Sequence, residues 1–385
     1  MGTPEFAVPS LDALIRNGHE VVLAVMQKDK PRDRGKEIKL PPVKVYALAA
    51  GIPVLQPEKL NREPEMVEAI RQVKPDLVVT CAFGQILPQS LLEIPGYGTI
   101  NVHGSLLPAL RGAAPIQWAI LRGERETGIT TMYTDIGLDT GDMLLREIVE
   151  IPDDMTAGEL HDMLSIVGAA TLIKTLHALE AGTLHRSHQN DALATYAPRF
   201  TKEMGFIDWN KSAWEIYNLI RGTDPWPGAY TRYKGGMMRI VLTEPVPRDA
   251  GVPGPAMRSA VSPVASPAVS PAASPAVSPA ASPAVSPAAS PAVSPVASPA
   301  VSPVASPAVS PAVSPVASPA VSQGDQPVPV PGTILSAGPD GLVVQTGNGT
   351  LGILEIQMPS SRKMRVINYL NGHSLDIGTV LGAKE

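Results

Sequence analysis

TINVHGSLLPALRG, Thr99 to Gly112, reads as a short β-branched strand that runs into a glycine turn and then into a proline-containing loop. A strand ending this way delivers Asn101 and His103 to the carboxyl edge of a sheet, where ligand sites form in open α/β folds. Upstream, VVLAVM (Val21 to Met26) and DLVVTCAF (Asp76 to Phe83) are further buried-strand candidates, separated by helical patterns such as PSLDALIRNG and PEMVEAIRQVK. That alternation predicts an α/β fold on a doubly wound parallel sheet. Downstream, Ala114 to Arg122 and Thr156 to Glu180 have amphipathic-helix patterns, and Gly182 stands where a helix-ending glycine is expected.

Residues 183–203 read as a linker, and a second domain is expected over 204–248 and 327–385. Its opening, GFIDWNKSAWEIYNLIRGTDPWPGAYTRY, predicts a helix from about Ala213 to Arg221 before the turn-rich DPWPGAY. The short strand patterns MMRIVL, GTILS, GLVVQTG and GTLGILEIQ follow, which together suggest a small β-barrel. Between the two strand groups lies a low-complexity stretch, 249–326. Serine recurs there every fourth residue from Ser262 to Ser322, sixteen times, fifteen of them before proline, and no charge occurs between Ser259 and Gly324. Proline at that spacing blocks both helix and sheet ladders, so a disordered, polyproline-II-rich insertion is expected inside the second domain. Loop closure costs rise only logarithmically with length, so a domain can carry such an insertion if its ends lie close together. No role is assigned to it.

The 385 residues, 44% of them apolar, are enough for two domains with sizeable cores. The net charge of −5 argues against nonspecific nucleic-acid binding but leaves room for a local basic surface. The single cysteine, Cys81, lies in the apolar run LVVTCAF and reads as a buried strand residue, which suits a reducing cytoplasm. No export signal and no run of 18 apolar residues is evident, so neither secretion nor membrane insertion is expected. A monomer is expected.

GLDTGD places Asp139 36 residues after His103, between the apolar segments ITTMY and MLLREIVEI. A lone histidine at a strand end is most often structural, and an aspartate in a glycine-rich turn is by default a turn former. Taken together with Asn101, the set has a chemical logic. Moving a formyl group onto an amine builds negative charge on an oxygen and leaves an ammonium that must lose a proton. Asn101 and a protonated His103 can donate to that oxygen, while Asp139 holds the ring charged and receives the proton, directly or through water. The same sheet edge is expected to receive Asp139. No metal is required.

Asn101 and His103, the SLLP-x-x-RG segment from Ser105 to Gly112, and Asp139 in LDTGD resemble the hallmark of the folate-dependent formyltransferases. With MGTPEFAVPSL, PPVKVYALAAGIPVLQP and IRGTDPWPGAYT, the whole chain apart from the repeat is similar to the branch that formylates methionyl-tRNA. The resemblance implies a Rossmann-like domain over 1–182 and an OB-like barrel after it. It implies catalytic roles for Asn101, His103 and Asp139, with Ser105, Leu106, Leu107 and Pro108 lining the pocket of the co-substrate 10-formyltetrahydrofolate. The expected partner is initiator methionyl-tRNA. QKDKPRDRGKEIKLPPVK, Gln27 to Lys44, carries seven Lys or Arg against three Asp or Glu and is a candidate phosphate grip. The resemblance makes it a wedge into the tRNA acceptor end, with Arg34 near the first base pair and Lys36 and Lys39 beside it. Arg232, Lys234, Arg239, Arg362, Lys363 and Arg365 offer weaker backbone contacts.

One departure concerns the start. Members of the family open with a short apolar strand before GTPEFAVP, whereas this sequence begins at Met1 inside that motif, so a start upstream of Met1 is expected. Three alternatives stand beside tRNA formylation. A folate-dependent hydrolase would share the three polar residues and need no tRNA surface. A sugar-nucleotide formyltransferase would replace the tRNA by a small amine. An inactive, truncated protein would bind tRNA without catalysis.

Overall fold

The computed structural model describes residues 1–32, 37–248 and 329–383; the expected insertion at 249–326 lies outside the described residues. The N-terminal part contains α1 (Val8–Arg16), β1 (Ala24–Val25), β2 (Lys30–Arg32), β3 (Glu37–Lys39), α2 (Pro42–Ala49), β4 (Val54–Leu55), α3 (Pro64–Gln72) and β5 (Val78–Cys81). It continues with α4 (Gln89–Leu92), β6 (Thr99–His103), β7 (Arg111–Gly112), α5 (Pro115–Leu121), β8 (Glu126–Tyr133), β9 (Met143–Glu150) and α6 (Ala157–Glu180). Apart from the β2–β3 hairpin, strands and helices alternate up to β6, giving a Rossmann-like domain. β1 pairs in parallel with β4, and β5 in parallel with β6. Met1 and Gly2 lie between these two pairs: Gly2 N donates to Val25 O at 2.9 Å, and Cys81 N donates to Met1 O at 2.9 Å. The strand expected over Val21 to Met26 forms ladder pairs only at Ala24 and Val25.

Beyond β6 the sheet departs from the all-parallel expectation. β8 runs antiparallel to β6, and β9 antiparallel to β8, in the order β5-β6-β8-β9. A parallel neighbour requires a crossover that carries the chain back across the sheet. Here the connection is spent on the 104–114 loop and the seven-residue α5, and the chain re-enters at the edge it left, with His103 opposite Thr130. Apolar runs such as ITTMY encode burial but not direction.

The core forms where α1, α5 and α6 cover this sheet. Ile100, Val102 and Ile129 from the strands meet Leu160, Leu164 and Leu172 from α6, all buried. Fully burying such side chains stabilises by ~1.5–3 kcal/mol each. α6 begins at a capping box: Thr156 Oγ1 accepts from Glu159 N while the Glu159 carboxylate accepts from Thr156 N. It ends where Gly182, at φ +66°, takes a left-handed turn. Among the described residues α6 alone is long and apolar enough to cross a bilayer. Its Leu160, Leu164, Leu172 and Leu176 are buried in the domain core.

Burial also governs Cys81, which is 3% exposed and faces Ser10. Desolvation pushes its thiol up to about 11. Cys81 is expected to resist iodoacetamide at pH 8 in the native protein and to react at the rate of a free thiol in denaturant, as read by mass spectrometry.

β10 (Tyr196–Ala197) lies in the segment read as a linker and pairs in parallel with β7. The C-terminal domain follows with α7 (Ala213–Gly222), β11 (Tyr230–Tyr233), β12 (Gly236–Thr243), β13 (Ile334–Gly338), β14 (Gly341–Gln345), β15 (Thr350–Gln357), β16 (Met364–Arg365) and α8 (Val366–Leu370). One six-stranded antiparallel sheet runs β11-β12-β15-β14-β13, with β16 beside β15. Shifts of register between Ile240 and Thr243, and between Ile334 and Ser336, curl it. Its inner face, including Ile240, Ile334, Val344 and Ile353, closes on Ile216 and Ile220 of α7. At the junction of the two domains Arg221 is 3% exposed, and its Nη1 donates to Met155 O at 3.0 Å. Burial pulls this guanidinium down to about 10, still charged at neutral pH.

Candidate active site

β6 ends in a glycine turn, so its last residues meet solvent-facing loops rather than another turn of ladder. Asn101 is half-buried there and His103 is buried. Thr80 Oγ1, on the neighbouring strand β5, donates to Asn101 Oδ1 at 2.9 Å. That bond fixes the amide and leaves its NH2 group to donate elsewhere. His103 Nε2 lies 3.0 Å from Leu110 O; a carbonyl only accepts, so Nε2 carries a hydrogen. The other ring nitrogen, Nδ1, lies 3.7 Å from Asp139 Oδ2. The structure therefore brings Asn101, His103 and Asp139 onto one cavity.

Asp139 arrives by a different route from the one expected. Because β8 is antiparallel, its end lies beside the start of β6, where Thr134 N donates to Thr99 O at 2.8 Å. The 134–142 loop then folds back along the sheet to reach His103. Asp135 Oδ1 braces that loop by accepting from Gly137 N at 3.0 Å and Thr140 Oγ1 at 2.6 Å. Asp139 itself has φ +53°, a left-handed conformation costly for a residue with a Cβ, and its Oδ2 accepts from Gly112 N at 2.8 Å.

The cavity has a volume of about 670 Å³ and joins these polar groups to an apolar wall. Ile86, Ile136 and Leu138 on its lining are 74%, 79% and 60% exposed. Large apolar side chains left in water around a concave polar centre mark a ligand groove. Among the described residues no group of three His, Cys, Asp or Glu is arranged to hold a metal.

Ser105, Leu106, Leu107 and Pro108 lie behind the cavity, not on its lining. Ser105 Oγ donates to Ala109 O at 2.6 Å, and Leu107 is enclosed with Met132 and Met143. That bond and this packing close the turn that sets Leu110 and Gly112 against His103 and Asp139. Of the expected tRNA contacts, Lys39 ends β3 of the β2–β3 hairpin and is exposed, while Arg34 and Lys36 lie outside the described residues.

Four groups at the site were not anticipated from sequence: the Thr80 hydroxyl, the Leu110 carbonyl, the Gly112 amide, and Gln189, whose Nε2 donates to Asp139 O at 2.8 Å. Gly112 carries a legible sign, the glycine of RG. The other three are ordinary residues until their partners are known.

Residues 1–176 match the family model described as formyl transferase, and residues 199–262 and 313–374 match that of the formyl transferase C-terminal domain. A methionyl-tRNA formyltransferase of Acetivibrio thermocellus is 44% identical over 382 residues, 99% of this chain and 98% of that protein. One from Geobacter metallireducens is 54% identical over 257 residues, 67% of this chain and 82% of that protein. Among solved structures, an N-formyltransferase from Helicobacter canadensis in complex with folinic acid and dTDP-3-aminofucose is 22% identical, with a TM-score of 0.49, over 63% of this chain and 85% of that one.

Proposed function

This chain belongs to the formyl transferase family, and we propose that it transfers the formyl group of 10-formyltetrahydrofolate to the free amino group of methionyl-tRNA, the initiator species, for translation initiation in the cytoplasm. The observation that carries this reading is the 44% identity to a methionyl-tRNA formyltransferase across 98% of that protein's length. The geometry supports the chemistry. The folate, when bound, supplies a formyl carbon on a nitrogen that can leave. Asn101, its Oδ1 held by Thr80, turns its NH2 group to the oxygen on which charge develops. His103 has only Nδ1 free of the backbone, so its donation to that oxygen passes through Nδ1. Asp139 Oδ2, 3.7 Å from Nδ1, faces that nitrogen across the cavity and takes the proton shed by the attacking amine.

The cavity's size and mixed lining suit a ligand with an apolar ring system and a polar reacting end. Of the Ser105–Pro108 turn, which lies behind the cavity lining, half-buried Leu106 and Pro108 are the members open to folate contact. The curled C-terminal sheet closes as an OB-like barrel, and the basic segment with Arg34, Lys36 and Lys39 grips the tRNA phosphates.

Incubation with 10-formyltetrahydrofolate and methionyl-tRNA, counting formyl groups on the tRNA, tests the reading. Folate consumed without tRNA formylation marks a hydrolase, and formylation of an amino-sugar nucleotide instead marks the small-amine branch. Reversing Arg34, Lys36 and Lys39 to glutamate is expected to raise KM for the tRNA at least ~10-fold and to flatten its salt dependence. Unchanged KM across a salt titration removes this segment from the tRNA surface.

A further inference from the structure

We propose that Gln189 is a positioning residue that holds Asp139 against His103, acting through the backbone of the 134–142 loop. Gln189 comes from the segment between the domains and is 2% exposed. Its Nε2 donates both hydrogens, to Asp139 O and to Gly141 O, each at 2.8 Å. Its Oε1 accepts from Arg111 Nε at 3.0 Å, and Arg111, also 2% exposed, donates through Nη2 to Asp191 Oδ1 at 2.7 Å. The network closes on itself. Arg111 is followed by Gly112, whose amide holds the Asp139 carboxylate, so residues 111 and 112 restrain the same aspartate by two routes, one at its backbone and one at its side chain.

Only an amide fits this position. One end must accept from a guanidinium and the other must give two hydrogens to carbonyls, a combination that neither a carboxylate nor an ammonium offers. The left-handed backbone at Asp139, φ +53°, is a conformation that relaxes unless it is held, and two pinned carbonyls on either side of Thr140 hold it. A displacement of about 1 Å at a reacting group costs ~10²-fold in rate, so a residue that makes no contact with substrate can govern turnover. The inference rests on Asp139 as proton acceptor and deepens that reading.

The test compares Gln189→Glu, which keeps a partner for Arg111 but removes both donors, and Gln189→Met, which keeps length without charge. Each is made in the native chain and with Asp139→Asn. Single-turnover formyl transfer, KM for folate, thermal melting and the imidazole 15N shift of His103 are measured. In the native background turnover is expected to fall ~10–100-fold with KM within ~3-fold, and in the Asp139→Asn background the same change is expected to cost under ~3-fold, because its effect runs through Asp139. The His103 shift in Gln189→Met moves toward that of Asp139→Asn. Equal losses in both backgrounds, or a lower melting temperature with turnover and His103 shift unchanged, overturn the proposal. If the native chain transfers no formyl group, the functional reading fails, and the His103 shift still decides whether Gln189 positions Asp139.

Discussion

His103→Ala and Asp139→Ala are each expected to lower turnover at least ~100-fold while largely sparing folate binding, the usual loss on removing an oxyanion donor or a proton acceptor. The geometry makes the two losses interdependent. His103 spends Nε2 on Leu110 O, so its only chemical nitrogen is the one that faces Asp139 at 3.7 Å. Without the carboxylate Nδ1 loses the charged group it faces, and without the ring the carboxylate keeps only the Gly112 amide. The double variant is therefore expected to be about as slow as either single one, as residues that act as a unit behave. Asp139→Asn sharpens the case, because an amide oxygen can still accept from Gly112 N–H while the charge is gone. Formyl transfer under saturating substrates, with folate binding followed by calorimetry, checks all four proteins. Near-normal turnover in His103→Ala or Asp139→Ala removes that residue from the chemistry.

How much of this could be read from residues alone differs from element to element. TINVH forms a strand over the same five residues that its β-branched pattern marks, because it is bounded by glycine on both sides and buried on both faces. The long helix ending before Gly182 is equally plain, since its amphipathic pattern and its terminating glycine are both local signals. The direction of β8 was not legible. Periodicity reports which faces are buried, whereas direction depends on where a connection returns, and the route of Asp139 back along the sheet follows from it. Gln189 was invisible for a related reason. Its partners lie 50 and 78 residues away, so a glutamine in a polar stretch acquires its meaning only from the fold. Strand pattern, chemistry and family resemblance together pointed to Asn101, His103 and Asp139, but not to the Thr80, Leu110 and Gly112 groups that orient them.

Gly112→Ala is expected to damage both fold and catalysis, although position 112 bears no side chain. Its φ of +119° lies in territory open mainly to glycine, and a Cβ built there meets Ala197 O at 2.7 Å. Ala197 is paired backbone of β10, so it cannot swing aside as a side chain would. The strained conformation alone costs ~1–3 kcal/mol. At ~2–4 °C per kcal/mol for a folding unit of about 150–250 residues, a fall in Tm of roughly 2–12 °C follows. The same shift carries the Gly112 amide away from Asp139 Oδ2, which it holds at 2.8 Å, and turnover per folded molecule is expected to drop ~10–100-fold. Gly182→Ala is the matched control. Gly182 also has positive φ, +66°, but nothing lies within 4 Å of a Cβ there and the residue stands at the end of α6, away from the cavity. Its replacement should lower Tm by the conformational cost and leave formyl transfer per folded molecule unchanged. Thermal melting and single-turnover rates on the pair separate strain from positioning: if Gly112→Ala loses stability but keeps full turnover, the amide of residue 112 does not hold Asp139 in a place that matters to the reaction.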